Sequence, residues 1–204
     1  MEPIAAAFAA GWPAAELANI LDDSLAPDRA RDGEITPAMF ARFATLSRYA
    51  VDIGAHAILF TCSAFGPAID RAAAGLEIPV LKPNDAMFEA ALGLGRRIGM
   101  VATFAPSVAP MEAEFAVAAA SRDPEPSLTT VVVPGAMQAL RAGDVATHNR
   151  LVAEHALTLA DCDAVMLAQF STARARAAVE RAIAIPVLTA PDAAVARLRR
   201  ILAA

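Results

Sequence analysis

Apolar residues in this chain fall into short runs separated by longer stretches of helical spacing. The runs at 57–60, 78–81, 98–103, 128–133, 164–168 and 185–188 have the length and aliphatic content of buried strands. A further run at 14–21, after a first helix near 3–10, reads as a seventh strand. Between the runs, apolar residues recur at helical intervals at 37–52, from about 63 to 75, 84–94, 107–121, 135–160, 172–183 and 191–202. Thr36 and Pro37 supply an N-cap and a first helical residue for the second of the helices. Strands alternating with helices of this length predict an α/β fold of parallel sheets covered on both faces.

The pattern also repeats. Shifted by 107 residues, "AILFTCSAFGPAIDRAAAGLEIPVLKPNDA" lies over "AVMLAQFSTARARAAVERAIAIPVLTAPDA" without a gap. "IPVL" falls on "IPVL", Asp85 falls on Asp192, and Cys62 falls on Gln169. The repeat predicts two pseudo-symmetric α/β halves, 1–94 and 95–190, with the C-terminal helix 191–204 packing back on the first half. Ligands of open parallel sheets bind beyond the carboxyl ends of the strands. That rule places Cys62 and Gln169 at facing positions in the cleft between the halves.

Composition narrows the function classes. The 204 residues carry a net charge of −5, which argues against nucleic acid as a partner. Mean hydropathy is +0.46, yet every apolar run ends well short of the roughly 18 residues a membrane span needs. The start shows no signal peptide, and two cysteines make no disulfide framework. The reading is a cytoplasmic, reducing location, with no membrane partner. An apolar patch on so hydrophobic a chain predicts a homodimer or larger homo-oligomer.

Cys62 is the candidate for chemistry. It ends a strand between Thr61 and Ser63, where a filler cysteine would have apolar neighbours, and the helix after it can lower the thiol pKa and bind a carboxylate. Cys162 precedes its strand, at the wrong end of the sheet for the site. His56 has the same defect. His148 and His155 read as solvated positions on one long helix. Lys82 ends a strand on the correct side and either meets a substrate carboxylate or stays a surface charge. Asp85 and Asp192 serve the first turns of their helices. Asp22 and Asp23 end the 14–21 strand at the cleft, where a carboxylate pair either repels an acidic substrate or selects an amino group.

The strand ending in "FTCSA", the "VATFAPSV" turn at 101–108, the strand ending in "MLAQFS" and the internal repeat together resemble the aspartate/glutamate/hydantoin racemase superfamily over nearly the whole chain. The resemblance implies two similar α/β halves with the active site between them, and neither pyridoxal phosphate nor metal. It implies one cysteine from each half on opposite faces of a substrate α-carbon. Cys62 matches the first of these. Ser63 and Ala64 match a carboxylate-binding pair, Thr103 and Ser107 match hydroxyl residues of the second-half turn, and Gln169, Phe170 and Ser171 form the second-half wall.

The chain departs from the family twice. Gln169 stands where the second cysteine is expected, and an amide has no proton to exchange at neutral pH. Seven strands are visible where a symmetric fold has eight: either Met1 is a late start or the first half lacks an inner strand, and the weakened core of the second option favours the first. The expected function is a cofactor-independent racemase or isomerase of a small carboxylate or amino-acid derivative with Cys62 as acid/base. A single-cysteine decarboxylase of a malonate-like acid and a non-catalytic carboxylate binder are the alternatives.

Overall fold

A computed structural model describes residues 2–203. Among them are ten α-helices and six strands in two parallel sheets. The first half opens with α1 (Glu2–Gly11), α2 (Leu25–Asp32) and α3 (Pro37–Asp52). Then come β1 (Ile58–Leu59), α4 (Gly66–Ala73), β2 (Val80–Leu81) and α5 (Asp85–Leu94). The second half runs β3 (Arg97–Ala102), α6 (Val108–Ala119), β4 (Ser127–Val132), α7 (Ala136–Arg141), α8 (Val145–Ala156), β5 (Ala164–Leu167), α9 (Arg176–Ala182), β6 (Val187–Thr189) and α10 (Ala190–Leu202). The strand order is β1-β2 in one sheet and β4-β3-β5-β6 in the other, all parallel.

The repeat read from the sequence is present in the pairing register. Ile58 pairs with Val80 and Leu59 with Leu81, while Val165 pairs with Val187 and Met166 with Leu188. Each second-half residue is its first-half counterpart moved by the same 107 positions. The flanking bonds match too: the Ile58 N–H donates to the Pro79 carbonyl and the Val165 N–H to the Pro186 carbonyl, both at 2.9 Å.

Period-two alternation explains why the central strands of the larger sheet are buried on both faces. Ile98, Met100 and Ala102 of β3, with Ala164 and Met166 of β5, pack under α5 and α6. Val101, Val165 and Leu167 point the other way, against α7, α8 and α9. The smaller sheet divides likewise. Leu59 and Leu81 pack with α1 and α10, and Phe60 and Val80 with α3 and α4. α10 lies against α1 and α5 and is tied there by Arg197 to Glu89 at 2.9 Å.

Three expectations are corrected. Residues 14–21 form no strand. Leu17, Ile20 and Leu21 are exposed, and the segment is drawn away from the sheet because Asp22 accepts from Arg42 of α3 at 2.8 Å and caps Ser24. Asp22 therefore ends no strand and is committed to an ion pair; the Arg42 hydrogen bond, then Ser24, holds its carboxyl below the usual range. The helix expected over 135–160 is two helices, because Gly143 takes the left-handed φ of 81° that a side chain disfavours, and Asp144 restarts the helix by accepting from the Thr147 N–H at 2.9 Å. The helix expected from 172 begins as a 3₁₀ turn, Phe170–Ala175, before α9.

The two central strands are clamped at their amino ends. The Asp163 carboxylate accepts from the Arg96 and Arg97 N–H groups at 2.8 and 2.9 Å and from the Arg97 guanidinium at 2.8 Å. The Arg97 N–H, then the Arg96 N–H and the Arg97 side chain, hold its pKa down at about 2. Gly95 makes room, since a Cβ there would fall 2.6 Å from the Asp163 Cγ. Gly95→Ala should therefore lower stability by about 1–3 kcal/mol, read from urea unfolding. A depressed carboxylate stabilises fully above its unfolded value near 3.8 and loses that contribution as pH falls towards 2. Asp163→Asn should accordingly flatten the acid limb of the stability–pH curve over that window, measured by denaturation at stepped pH.

Candidate active site

The carboxyl ends of β1, β3 and β5 carry the residues singled out by sequence. Cys62 follows β1, is exposed, and holds extended backbone at φ −125° and ψ 117°. Ser63 and Ala64 begin a 3₁₀ turn, Ser63–Phe65, that leads into α4. The regular helix thus starts at Gly66, one turn later than expected. Phe65 anchors the turn by burying its ring 5.0 Å from that of Phe43.

In the second half, Thr103, Ser107 and Gln169 form one hydrogen-bonded unit. The Gln169 Oε1 accepts from the Thr103 N–H at 3.2 Å, and the Thr103 and Thr172 hydroxyls lie 3.3 and 3.2 Å from it. The Gln169 Nε2 donates to the Ser107 hydroxyl at 2.6 Å, and Ser107 donates onward to the Phe104 carbonyl at 2.8 Å. Both Thr103 and Thr172 are buried. The amide bridges the turn after β3 to the turn after β5. Gln169 does so from the left-handed region, φ 65°, the one positive φ of a non-glycine residue among those described. Such backbone costs about 1–3 kcal/mol and persists where surrounding contacts hold it.

This changes the expected roles. The Thr103 and Ser107 hydroxyls, matched by resemblance to carboxylate binding, are engaged by Gln169 and Phe104 instead. Ser107 occupies the N-cap position of α6 without a side-chain capping bond. Phe170 packs against the core layer of α5, α6, β3 and β5 on one side and against the layer holding Leu81 of the smaller sheet on the other, so the Gln169 turn meets the first half there. Ser171 sits half-buried in the 3₁₀ turn after it. Cys162 is half-buried at the opposite end of β5, where burial raises its thiol pKa.

The charged candidates also move. Lys82 is not a free surface lysine: its Nζ lies 3.2 Å from Asp70 and 3.8 Å from Asp85. His148 is fully buried rather than solvated, with Nδ1 2.8 Å from the Asn149 Oδ1. His155 Nδ1 donates to the Leu151 carbonyl, 2.9 Å away, since a carbonyl only accepts. Asp192 serves its helix start, as expected: Thr189 caps its N–H at 3.3 Å, and the Arg176 guanidinium reaches its carboxylate at 2.8 Å. Among the described residues, no three His, Cys, Asp or Glu side chains converge as metal ligands do, and no helix is long and apolar enough to cross a membrane.

Two groups at the cleft escaped the sequence reading. Glu114 of α6 reaches the first half, where its Oε2 accepts from the Asn84 Nδ2 at 3.2 Å. Asn84 itself is 2% exposed. Neither residue stands in a motif. The available signal was an asparagine at the start of α5 and a glycine, Gly66, at the start of α4, where the Glu114 carboxyl comes closest.

The Gln169 bridge makes a direct prediction. Gln169→Leu removes the acceptor of two buried hydroxyls and a buried N–H, which should cost about 1–3 kcal/mol. Urea denaturation against wild type checks it.

The chain matches the family model of Asp/Glu/Hydantoin racemase over residues 1–198. Glutamate racemase isoform RacE1 of Bacillus anthracis superposes with a TM-score of 0.70 at 16% identity, covering 99% of this chain and 77% of that one. Allantoin racemase of Klebsiella pneumoniae gives 0.68 at 17% identity, covering 99% and 82%. A variant of arylmalonate decarboxylase in a sulfate-associated form gives 0.56 at 18% identity, covering 81% and 78%. These likenesses establish a shared two-domain α/β fold. Among curated proteins none matches the chain. By its family match, this chain belongs to the Asp/Glu/hydantoin racemase family.

Proposed function

We propose that this protein is a racemase or isomerase acting, without pyridoxal phosphate or metal, at the α-carbon of a small carboxylate or amino-acid derivative, with Cys62 as an acid/base. The observation that carries this reading is the placement of Cys62. It is an exposed thiol beyond the carboxyl end of β1, in the half-site that repeats the Gln169 position of β5 in the same register.

The chemistry needs a base near the α-carbon and donors for the enediolate oxygens that form when the α-proton leaves. Cys62 as thiolate removes the proton and as thiol returns it. The donors fall to the first-half turn, because Thr103 and Ser107 are already engaged. The opening N–H groups of a helical turn lack intrahelical acceptors, and the turn beginning at Ser63 leads directly into α4. A substrate carboxylate seated there lies beside the thiol.

A second reading has its own support. Gln169 offers no titratable proton, and its amide is engaged on both sides by hydrogen bonds. A decarboxylase of a malonate-like acid needs one proton donor after carbon dioxide leaves, which Cys62 alone supplies.

Proton NMR in heavy water separates the two. The panel comprises amino acids, hydantoins, hydroxy acids and substituted malonates, with wild type compared to Cys62→Ala. The racemase reading expects deuterium at the α-carbon with inversion, lost by at least about 100-fold in the variant, the lower end of what a placed acid/base contributes. Cys62-dependent release of carbon dioxide with deuterium in the product supports the decarboxylase. Turnover unchanged in Cys62→Ala sinks both.

A further inference from the structure

Residue 169 gives the second half no titratable group opposite Cys62, but the second half presents one nearby. Glu114 lies on α6, the helix that follows the Thr103–Ser107 turn. Its neighbour on the same helical face one turn earlier, Met111, places its sulfur 3.9 Å from the Gln169 Nε2. This face of α6 therefore runs from the Gln169 bridge towards the first half.

At the far end the carboxyl meets the Cys62 turn. An added Cβ on Gly66 would sit 3.3 Å from the Glu114 Oε1, so the absent side chain leaves the carboxyl room against the start of α4. Gly66 follows Cys62 by the single 3₁₀ turn Ser63–Phe65, a rise of about 6 Å at the roughly 2 Å per residue of that helix. The Glu114 carboxyl thus stands at the end of the short turn that Cys62 begins. Asn84, buried and donating to Oε2, orients the carboxyl.

We propose that Glu114, oriented by Asn84, is the second proton-transfer group of this site and acts on the face of the α-carbon opposite Cys62. This rests on the racemase reading above. In one direction the Cys62 thiolate takes the α-proton and becomes a thiol, and the electron pair of the broken C–H bond enters the enediolate. The Glu114 carboxylic acid then gives its proton to the opposite face, the new C–H bond forms, and a carboxylate remains. The reverse direction starts from the Glu114 carboxylate and the Cys62 thiol, and proton exchange with water resets the pair.

The surroundings suit a carboxyl that must hold a proton for part of each cycle. Burial raises the Glu114 pKa above its usual value, Asn84 and Lys82 oppose the shift, and Asp85 and Asp70 add to it. Lys82, Asp70 and Asp85 all belong to the first half, so the charge that Glu114 faces is set across the cleft.

The test uses separate D and L enantiomers of aspartate, glutamate and 5-methylhydantoin in heavy water, with wild type, Cys62→Ala and Glu114→Gln. Thermal melts confirm that the near-isosteric Glu114→Gln folds. The expected result is racemisation reduced at least about 100-fold in Glu114→Gln, with one enantiomer still exchanging its α-proton through Cys62 without inversion and its mirror image silent. Cys62→Ala should show the opposite preference, and the acidic limb of the wild-type pH–rate profile should be absent from the residual exchange of Glu114→Gln. Racemisation by Glu114→Gln at the wild-type rate overturns the proposal, as does equal loss of exchange for both enantiomers. Absence of Cys62-dependent exchange in wild type overturns the racemase reading itself, and the Glu114 role with it.

Discussion

Asp163 sets the alignment of β3 with β5, and the second-half site depends on that alignment. Its carboxylate gathers two consecutive backbone N–H groups and a guanidinium at the start of β3, and its own N–H donates to the Arg97 carbonyl at 2.6 Å. From there Ile98 pairs with Ala164, and the ladder runs to Val101 opposite Leu167. A register slip of one residue reverses every side chain between the faces of a sheet. Here it would exchange the two apolar layers and separate Thr103 from Gln169. The clamp at one end of the strands therefore determines which side chains meet at the other.

Burial sets the larger sheet apart, since its central strands β3 and β5 are covered by helices on both faces while β4 is a partly exposed edge. The smaller sheet is different, with strands of two residues. Its half is held to the rest by side-chain layers on α1, α5 and α10 and by polar contacts across the cleft. Of these, Asn84 with Glu114 and the packing of Phe170 lie nearest the candidate chemistry. The site thus joins a fixed wall, built on β3 and β5, to a wall carried by the less extensively hydrogen-bonded half. That asymmetry is hidden by the sequence repeat, which makes the two halves look alike.

What the sequence disclosed follows from local chemistry. The "IPVL" blocks, the alternation in β3 and β5, and the Cys62 and Gln169 positions at strand ends were legible because strand length and periodicity are local. Thr36 and Pro37 announced α3 for the same reason, and the Thr36 hydroxyl does accept from the Met39 N–H, at 3.4 Å. Residues 14–21 misled because an apolar run promises a strand only if an edge receives it, and Arg42 draws the end of that run elsewhere. Gly143 was overlooked as a break because the helical spacing continues on both sides of it. The burial of His148, the engagement of Thr103 and Ser107, and the reach of Glu114 all arise from contacts between residues distant in sequence, such as Asn84 with Glu114, which periodicity does not encode.

The left-handed backbone at Gln169 bears on any exchange between this glutamine and the cysteine that the family resemblance implies at its position. Glutamine and cysteine codons differ at every base, so a stepwise path between them passes through other residues at this position. Each intermediate has to occupy a conformation that few side chains accept, while leaving Thr103 and Thr172 without the amide that now satisfies them. The shape of the backbone at one turn thereby constrains which side chains position 169 can hold.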